Sequence, residues 1–367
     1  MHSSEPQGPP PFSPNLKVKH LTTTTTTYQH QLSAITTATM PNPLPNPSVL
    51  IFGATGKVAS SAALAAHTHG ASLTLALRNP LAPIPPCLSS LSPPPPILQA
   101  DLSSPASLAA AVLASGATRA FVYLVYTTDD HMLASFTALR NAGITFVVLL
   151  SSYAVPRGNL KDIEEGDYIA WKHAQIELAL GAVFGKGEEE GVGYVAIRGG
   201  YFASNATLWA EELRKGGEVR LWAGGAEFDW VAPEEVGEVA GVILAGYGRE
   251  GGKGLLRKGE VMVDVVGGGL VSQREVLGIV GRVVFGREVE VGEMGEEEAV
   301  RFYEAGLGLP EASARTLVEQ QTGREKGGDR LYGEVYYEES AKMPERFLGR
   351  PAMRFEEWAT KNREKFL

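Results

Sequence analysis

The sequence predicts an α/β protein with a doubly wound parallel sheet and a smaller C-terminal α+β lobe. Between residues 48 and 200, six apolar segments of strand length alternate with segments of helical length. This order is typical of right-handed β-α-β units. The strand segments are almost uniformly apolar, as expected where helices cover both faces of a sheet. Near residue 200 the alternation stops, and helical patterns mix with short strands.

Residues 1–46 precede this pattern and differ from it in composition. They are rich in Pro, Thr and Asn and have almost no periodic apolar pattern, which predicts a disordered leader that adds nothing to the fold. A transit peptide is an alternative, because Glu5 is the only acidic residue within residues 1–46. Against it, this segment lacks Arg and an amphipathic helix. Met40 offers an alternative start.

Each predicted strand and helix has its own boundary signals. The first strand ends at a glycine, and the alanine-rich helix after it ends at Gly70. A Ser-Pro pair opens the helix after the third strand, and the proline-rich segment 81–96 is predicted to be loop. The predicted strands are 48–53, 72–78, 97–102, 119–126, 144–152 and 193–200, and the predicted helices between them are 57–70, 104–115, 129–143 and 168–180.

The remainder of the chain, 201–367, is predicted to be a mixed part that contains a substrate-binding lobe. Its helices and short strands follow the last unit of the sheet and would form the other side of a crevice. The tail 350–366 has the pattern of an amphipathic helix that docks Phe355 and Trp358 on the core.

Composition excludes several classes of protein. The chain has 367 residues, of which 44% are hydrophobic and 20% charged, as in ordinary globular domains. No apolar run reaches the roughly 20 residues that span a bilayer, and the net charge of -9 argues against nucleic-acid binding. The single cysteine, Cys87, cannot form an intramolecular disulfide, so a reducing compartment such as the cytoplasm or nucleus is expected.

A phosphate-binding turn is predicted where the first strand meets the first helix. Gly53, Gly56 and Ala59 give the spacing G-x-x-G-x-x-A. The first glycine permits a tight turn, the second lets the backbone approach a pyrophosphate, and the small third residue lets helix and strand pack closely. The helix then begins with unpaired N–H groups. A plain strand–helix turn is the alternative, but the position after the first strand favours a Rossmann NAD(P)-binding domain over residues 47–200.

The ends of the other strands supply the remaining predicted cofactor contacts. Arg78 follows the second strand, where sites for NAD usually carry Asp or Glu; its guanidinium suits the 2′-phosphate of NADP(H), and a surface Arg is the alternative. Lys57 would help to hold the same phosphate. Asp101 lies where adenine is usually bound, but it would serve equally as a turn cap. The predicted cofactor-binding residues are Gly53, Ala54, Thr55, Gly56, Lys57, Val58, Arg78, Asp101, Leu102, Tyr126, Thr127, Ser151 and Lys172.

A candidate catalytic pair lies on the helix after the fifth strand. Tyr168 and Lys172 are four residues apart and share one helix face. The phenol can pass a proton to a carbonyl oxygen, while the ammonium lowers the pKa of the phenol and holds the nicotinamide ribose. Ser152 would orient the carbonyl. A packing tyrosine and a solvated lysine are the alternatives, and Ser152 precedes Tyr168 by sixteen residues.

Three neighbouring residues have a plainer interpretation. Asp129, Asp130 and His131 have the composition of a helix N-terminus. No second cluster of ligand residues accompanies them, so no metal site is predicted.

These residues resemble the NmrA-like family, an atypical branch of the short-chain dehydrogenase/reductases. The resemblance covers about residues 48 to 365 and includes Arg78 and Lys172 with Glu177. Gly199, where the family often has proline, and Ala59, in place of the third glycine, depart from the family pattern. The segments that carry the resemblance are "VLIFGATGKVA", "VVLLSS", "IRGGYFASN", "FDWVAPEEVGEVA" and "FLGRPAMRFEEWATKN".

The resemblance implies a Rossmann domain with a small C-terminal substrate lobe. Lys172 takes the place of the family lysine, and Tyr168 that of the tyrosine of the wider superfamily. Some members reduce bonds of small aromatic or alkaloid-like molecules with NADPH, and others bind the dinucleotide without turnover and regulate transcription factors. We expect an NADPH-dependent reductase of a small, fairly apolar molecule. The alternative is a dinucleotide-sensing regulator that binds a protein partner.

Overall fold

The structure, a computed structural model, describes residues 46–185, 193–246, 256–257, 259–325 and 334–367. The predicted disordered leader lies outside these residues except for Asn46. The strands are β1 (Ser48–Phe52), β2 (Ser72–Leu77), β3 (Ile97–Gln99), β4 (Arg119–Tyr123), β5 (Phe146–Ser152), β6 (Gly193–Gly199), β7 (Val219–Leu221), β8 (Glu227–Phe228), β9 (Met262–Val265), β10 (Val271–Ser272) and β11 (Val291–Glu293).

Helices connect and cover these strands. They are α1 (Lys57–Thr68), α2 (Pro86–Ser89), α3 (Pro105–Ser115), α4 (Leu133–Ala142), α5 (Tyr168–Phe184), α6 (Ala210–Lys215), α7 (Pro233–Gly246), α8 (Gln273–Val280), α9 (Glu296–Leu307), α10 (Glu311–Glu325), α11 (Glu334–Ser340), α12 (Met343–Leu348) and α13 (Phe355–Lys361). Short 3-10 turns occupy Leu160–Asp162, Ala203–Trp209 and Arg363–Lys365, and a π-helical turn, Gly281–Phe285, follows α8. None of the described helices is both long and apolar enough to cross a bilayer.

The main sheet confirms the predicted doubly wound α/β fold. Its seven strands are parallel and lie in the order β3-β2-β1-β4-β5-β6-β9. The chain reverses direction across the sheet between β1 and β4, so the carboxyl ends of these strands border a crevice, the usual position of a ligand in such sheets. One apolar core lies on the face covered by α1 and α7, and another on the face covered by α3, α4 and α5.

The six predicted strands are all present, with some ends shifted. The third strand ends at Gln99 and the fourth at Tyr123, each three residues before its predicted end. The segment 81–96, predicted to be loop, contains the single helical turn α2. A proline at the first position of that turn explains how so proline-rich a segment begins a helix.

Two small residues let α7 lie directly against α1. A side chain added at Gly237 would overlap the carbonyl oxygen of Val58, and one added at Gly241 would overlap that of Ala62. The backbones therefore approach more closely than larger residues allow. This contact explains the alanine-rich composition of α1 and fixes the helix whose first turn borders the crevice.

The chain after residue 200 contributes to the main sheet and also forms a core of its own. Strand β9 pairs in parallel with β6, and α7 covers the sheet. A separate aromatic core contains Trp209 and Trp230, and Phe355 and Trp358 of the tail are buried in it, as predicted. Helices α9 and α10 pack on each other beside this core.

Candidate active site

The turn after β1 has the geometry of a phosphate-binding loop. Gly53 has a φ of 71°, and a Cβ added there would lie 2.6 Å from the ring of Tyr123. The N–H of Gly56 donates to the carbonyl oxygen of Gly53 at 2.9 Å, and α1 begins at the next residue. Within the described residues, no side chain caps this helix start and its first turn holds no acidic residue. Its N–H groups are therefore available to an anion.

Arg78 and Asp101 lie together at the carboxyl end of β2 and β3. Asp101 accepts hydrogen bonds from the backbone N–H and hydroxyl of Ser103, at 2.9 and 2.8 Å. These bonds lower the pKa of Asp101, and the positive charge of Arg78 lowers it further. Asp101 thus caps the turn before α3, the alternative that its sequence position left open. Arg78 is exposed, and Leu102 is buried with its carbonyl oxygen bonded to Ser135.

The side chain of Lys57 extends toward the C-terminal segment. Its Nζ lies 5.9 Å from the centre of the Trp358 indole, and Lys365 lies over the same ring. Burial, together with the hydrogen bond and charge of Lys365, lowers the pKa of Lys57 to about 8. The sequence did not indicate this contact, because α13 follows α1 by almost three hundred residues. Lys57 therefore brings its backbone N–H to the phosphate turn and its ammonium to the C-terminal tail.

A buried ion pair attaches α5 to the sheet. Arg198 on β6 donates two hydrogen bonds to the Glu177 carboxylate, at 3.0 and 2.7 Å. The hydroxyl of Ser151 donates to the same carboxylate at 2.5 Å. Ser151 was predicted to bind cofactor, but its hydroxyl bonds to Glu177 in the interior. Beside this cluster, burial and the charge of Arg198 lower the pKa of His173 to about 4, so its ring is neutral near pH 7.

The predicted catalytic pair lies in the first turns of α5, at the crevice. Tyr168 is half-buried, with its ring 5.9 Å from that of Trp171. Lys172 is only 7% exposed, and among the described residues it has no hydrogen-bond acceptor. Tyr126 approaches from the segment after β4: burial raises its pKa, and the neighbouring Tyr168 adds to the rise. The structure therefore places Tyr126 close to Tyr168, one helical turn before Lys172.

A cavity of about 90 Å³ opens beside Ile169, the residue after Tyr168, between the ends of β5 and β6 and helix α10. The Oγ of Ser152 accepts a hydrogen bond from the N–H of Ala154 at 3.1 Å, and Ser152 lines the cavity. The amide of Gln320 on α10 donates to Asp167, the residue before α5, at 3.1 Å. Thr127 is exposed. Most of the cavity wall is apolar, and it includes Ile169, Tyr201, Phe228 and Leu317.

A buried carboxylate shapes the far wall of the cavity. Asp229 accepts hydrogen bonds from the backbone N–H groups of Tyr201 and Gly267, at 2.8 and 2.9 Å. A side chain at Gly200 would overlap this carboxylate, so the position requires glycine. Asp229 therefore joins the segments that follow β6 and β9.

His131 lies against α5, a position that the sequence did not reveal. The prediction of a helix N-terminus is correct for Asp130, whose carboxylate accepts from the N–H groups of Met132 and Ala134 at 3.1 and 2.7 Å. His131 itself turns toward α5, where its ring meets Trp171 edge-on at 5.4 Å. The described residues contain no cluster of His, Cys, Asp or Glu suited to a metal ion.

Comparison with known proteins identifies two relatives by sequence, although no family model matches the chain. The chain is 33% identical over 343 residues to the nitrogen metabolite regulation-like protein bik4 of Gibberella fujikuroi, covering 86% of this chain and 97% of the relative. It is 27% identical over 242 residues to a (4-alkanoyl-5-oxo-2,5-dihydrofuran-3-yl)methyl phosphate reductase of Streptomyces griseus, covering 65% of this chain and 72% of the relative.

Solved structures with the same fold include two reductases. An NADPH-dependent quinone oxidoreductase from Escherichia coli superposes with a TM-score of 0.60 at 18% identity, covering 85% of this chain and 98% of the other. The triphenylmethane reductase of a Citrobacter species gives a TM-score of 0.60 at 16% identity, covering 86% and 99%. At this level of identity the likeness shows the fold alone.

Proposed function

The chain belongs to the NmrA-like family of NAD(P)-binding Rossmann proteins, an atypical branch of the short-chain dehydrogenase/reductases, and on this basis we propose that it is an NADPH-dependent reductase of small, fairly apolar molecules. One observation carries the proposal. The side chain of Lys172, 7% exposed and without a hydrogen-bond acceptor among the described residues, lies one helical turn after Tyr168 on α5. A phenol close to a positive charge is a suitable proton donor for a reduction by hydride transfer.

The residues around the crevice suit NADP(H). The turn Gly53–Gly56 and the uncapped start of α1 match a pyrophosphate, and the exposed guanidinium of Arg78 matches a 2′-phosphate. The Escherichia coli and Citrobacter reductases have been solved with NADPH and NADP(H), respectively. In the proposed reaction the bound dinucleotide supplies a hydride to the substrate.

Tyr168 and Lys172 would control the proton in this reaction. As the new C–H bond forms, the phenol of Tyr168 gives its proton to the substrate oxygen or nitrogen, and the phenolate then regains a proton from solvent. The positive charge of Lys172 would attract the negative charge that develops on the oxygen during proton transfer, and its N–H groups would hold ribose hydroxyls. Ser152 would help to orient the substrate from the end of β5.

The cavity beside Ile169, the residue after Tyr168, supports a small substrate with apolar surface. Ile169, Phe228 and Leu317 give it apolar walls, while Ser152 and Gln320 contribute polar groups at its edge. This lining favours a flat or aromatic molecule that carries one reducible polar group.

A dinucleotide-sensing regulator is the second candidate function. The observation in its favour is the relative at 33% identity, which is named as nitrogen metabolite regulation-like. Such a protein would use the same cofactor residues and would bind a protein partner without turnover. Either function is compatible with the cytoplasm or the nucleus.

The experiment that separates the two functions has a binding arm and a turnover arm. Calorimetric titration with NADPH, NADH and NADP⁺ measures cofactor binding. The loss of NADPH absorbance then measures the oxidation of NADPH in the presence of quinones, enones, imines and aromatic carbonyl compounds. A reductase shows turnover with at least one class, and the turnover falls in Tyr168→Phe. Tight NADPH binding with no turnover in any class would favour the regulator.

A further inference from the structure

The turn between β4 and α4 holds two consecutive residues in a strained conformation. His131 has a φ of 51° and Met132 a φ of 66°, in the left-handed region that residues other than glycine seldom adopt. Strain of this kind persists only where the surrounding structure enforces it, and it is concentrated at functional sites.

The neighbouring contacts enforce this conformation. The N–H of Met132 is held by the side chains of Asp130 and Thr128, each at 3.1 Å. The side chain of Met132 is fully buried, and its sulfur accepts from the N–H of Val125 at 3.4 Å. Because Met132 is fixed inward, His131 is directed to the other side of the turn, toward α5.

His131 meets α5 beside Lys172. Its ring packs edge-on against Trp171, and its Nδ1 is buried without a hydrogen-bond partner among the described residues. Burial and the charge of Lys172 lower the pKa of His131, partly offset by Asp130. The ring is therefore neutral near pH 7 and keeps one nitrogen as an acceptor. A buried acceptor without a donor destabilises the fold, so a bound molecule that supplies the donor would be favoured.

Lys172 and His131 are chemically complementary. An ammonium only donates hydrogen bonds, whereas the unprotonated nitrogen of a neutral imidazole accepts one. A vicinal diol offers both partners, because one hydroxyl oxygen can accept while the other hydroxyl donates. The sugar hydroxyls of a dinucleotide are such a diol.

We propose that His131 is a further cofactor-binding residue, whose Nδ1 accepts a hydrogen bond from a hydroxyl of the nicotinamide-side ribose while Lys172 donates to the same diol. This inference rests on the proposed function, in which NADPH binds with its nicotinamide end at Lys172. It assigns the Nε2–H tautomer to His131. It also gives the strained turn a role, since the turn holds the His131 ring close enough to Lys172 for the lysine charge to act on it.

Calorimetry with two ligands tests the assignment in the full chain. NADPH contains the nicotinamide ribose, whereas adenosine 2′,5′-bisphosphate contains only the adenine, its ribose and the 2′-phosphate. His131→Phe keeps an aromatic ring against Trp171 and removes the nitrogen. We expect the Kd of NADPH to rise about threefold to tenfold, the usual effect of one lost neutral hydrogen bond, and the Kd of the bisphosphate to stay unchanged.

Two further variants complete the test. His131→Asn retains an acceptor and tolerates the left-handed conformation, so we expect its NADPH affinity to lie nearer the wild type. His131→Ala replaces the Phe variant in the comparison if that variant does not fold. Unchanged NADPH affinity in His131→Phe, or equal weakening of both ligands, would overturn the assignment. If the wild-type chain binds neither ligand, the proposed function itself fails and this assignment fails with it.

Discussion

The Glu177 carboxylate and the Arg198 guanidinium form a two-point ion pair that is almost entirely buried, with side chains 5% and 3% exposed. The pair joins the middle of α5 to β6. Because α5 also carries Lys172 and Tyr168, this pair fixes how the catalytic candidates sit over the ends of the strands. Burying two charges costs solvation energy, and each charge is stable there only while its partner remains.

Glu177→Ala is therefore expected to destabilise the protein strongly. It leaves the Arg198 charge unpaired in the interior, which typically lowers the free energy of unfolding by about 3–5 kcal/mol. Urea unfolding measures the change. Glu211→Ala is the matched control, because it breaks the exposed pair with Lys215 and should change stability little. Similar effects in both variants would contradict the role assigned to the buried pair.

The contact between α1 and α7 gives a second stability prediction. Gly241→Ala places a methyl group against the carbonyl oxygen of Ala62, so the helices must separate. Such overpacking typically costs about 1–3 kcal/mol of unfolding free energy. Gly217→Ala is the control, because nothing lies within 4 Å of its added methyl group. If Gly241→Ala lowers the free energy of unfolding no more than the control does, α7 can move away from α1 without an energetic cost.

Stability should also depend on pH through His173. Its pKa is about 4 in the folded protein and near 6.5 when unfolded, so between these values the unfolded chain binds more protons. The contribution of His173 is complete above about pH 6.5 and is lost as the pH falls toward 4, on the order of 2–3 kcal/mol. Thermal unfolding from pH 7 to pH 4.5 should show a smaller decline in His173→Gln than in the wild type. Parallel declines would count against this assignment.

Arg78 should determine the preference for NADP(H). A charge-assisted contact with the 2′-phosphate typically contributes about 1.5–3 kcal/mol, or roughly tenfold to a hundredfold in affinity. Arg78→Ala should therefore weaken the binding of NADPH and of adenosine 2′,5′-bisphosphate by that factor. NADH lacks the phosphate and serves as the internal control, with nearly unchanged affinity in calorimetry. Equal weakening of NADPH and NADH would show that Arg78 has a structural role instead.

The sequence predicted the first six strands of the main sheet but not its last strand, β9. Strands β1 to β6 are apolar segments between helices, and that pattern is local. Strand β9 is short and carries Asp264, which suggests an exposed segment. In the structure Asp264 is buried because Arg157, more than a hundred residues earlier, bonds to it at 3.0 and 2.8 Å. A partner so distant in sequence leaves no local signal.

The candidate site was predictable in part for the same reason. Glycine spacing and the position of Lys172 after the fifth strand are local features. The inward direction of the Ser151 hydroxyl depends on Glu177, which is distant in sequence. The direction of the His131 side chain depends on a positive φ, which the residue types in "TTDDHML" do not predict. The spacing Gly237-x-x-x-Gly241 was a usable signal, because paired small residues on one face of a helix indicate close helix contact.

The proton-donor role of Tyr168 is the most direct test of the chemistry. Tyr168→Phe removes the hydroxyl and keeps the ring beside Trp171. We expect NADPH affinity within about twofold of the wild type and turnover lowered by about 10²–10⁴, the usual contribution of a positioned general acid. Lys172→Ala should lower turnover and also weaken NADPH binding, because the ammonium both assists proton transfer and binds the ribose hydroxyls. Adenosine 2′,5′-bisphosphate should bind Lys172→Ala normally, which separates a lost ribose contact from a damaged fold. Full turnover in Tyr168→Phe would rule out Tyr168 as the proton donor and leave Lys172 as the only catalytic candidate of the pair.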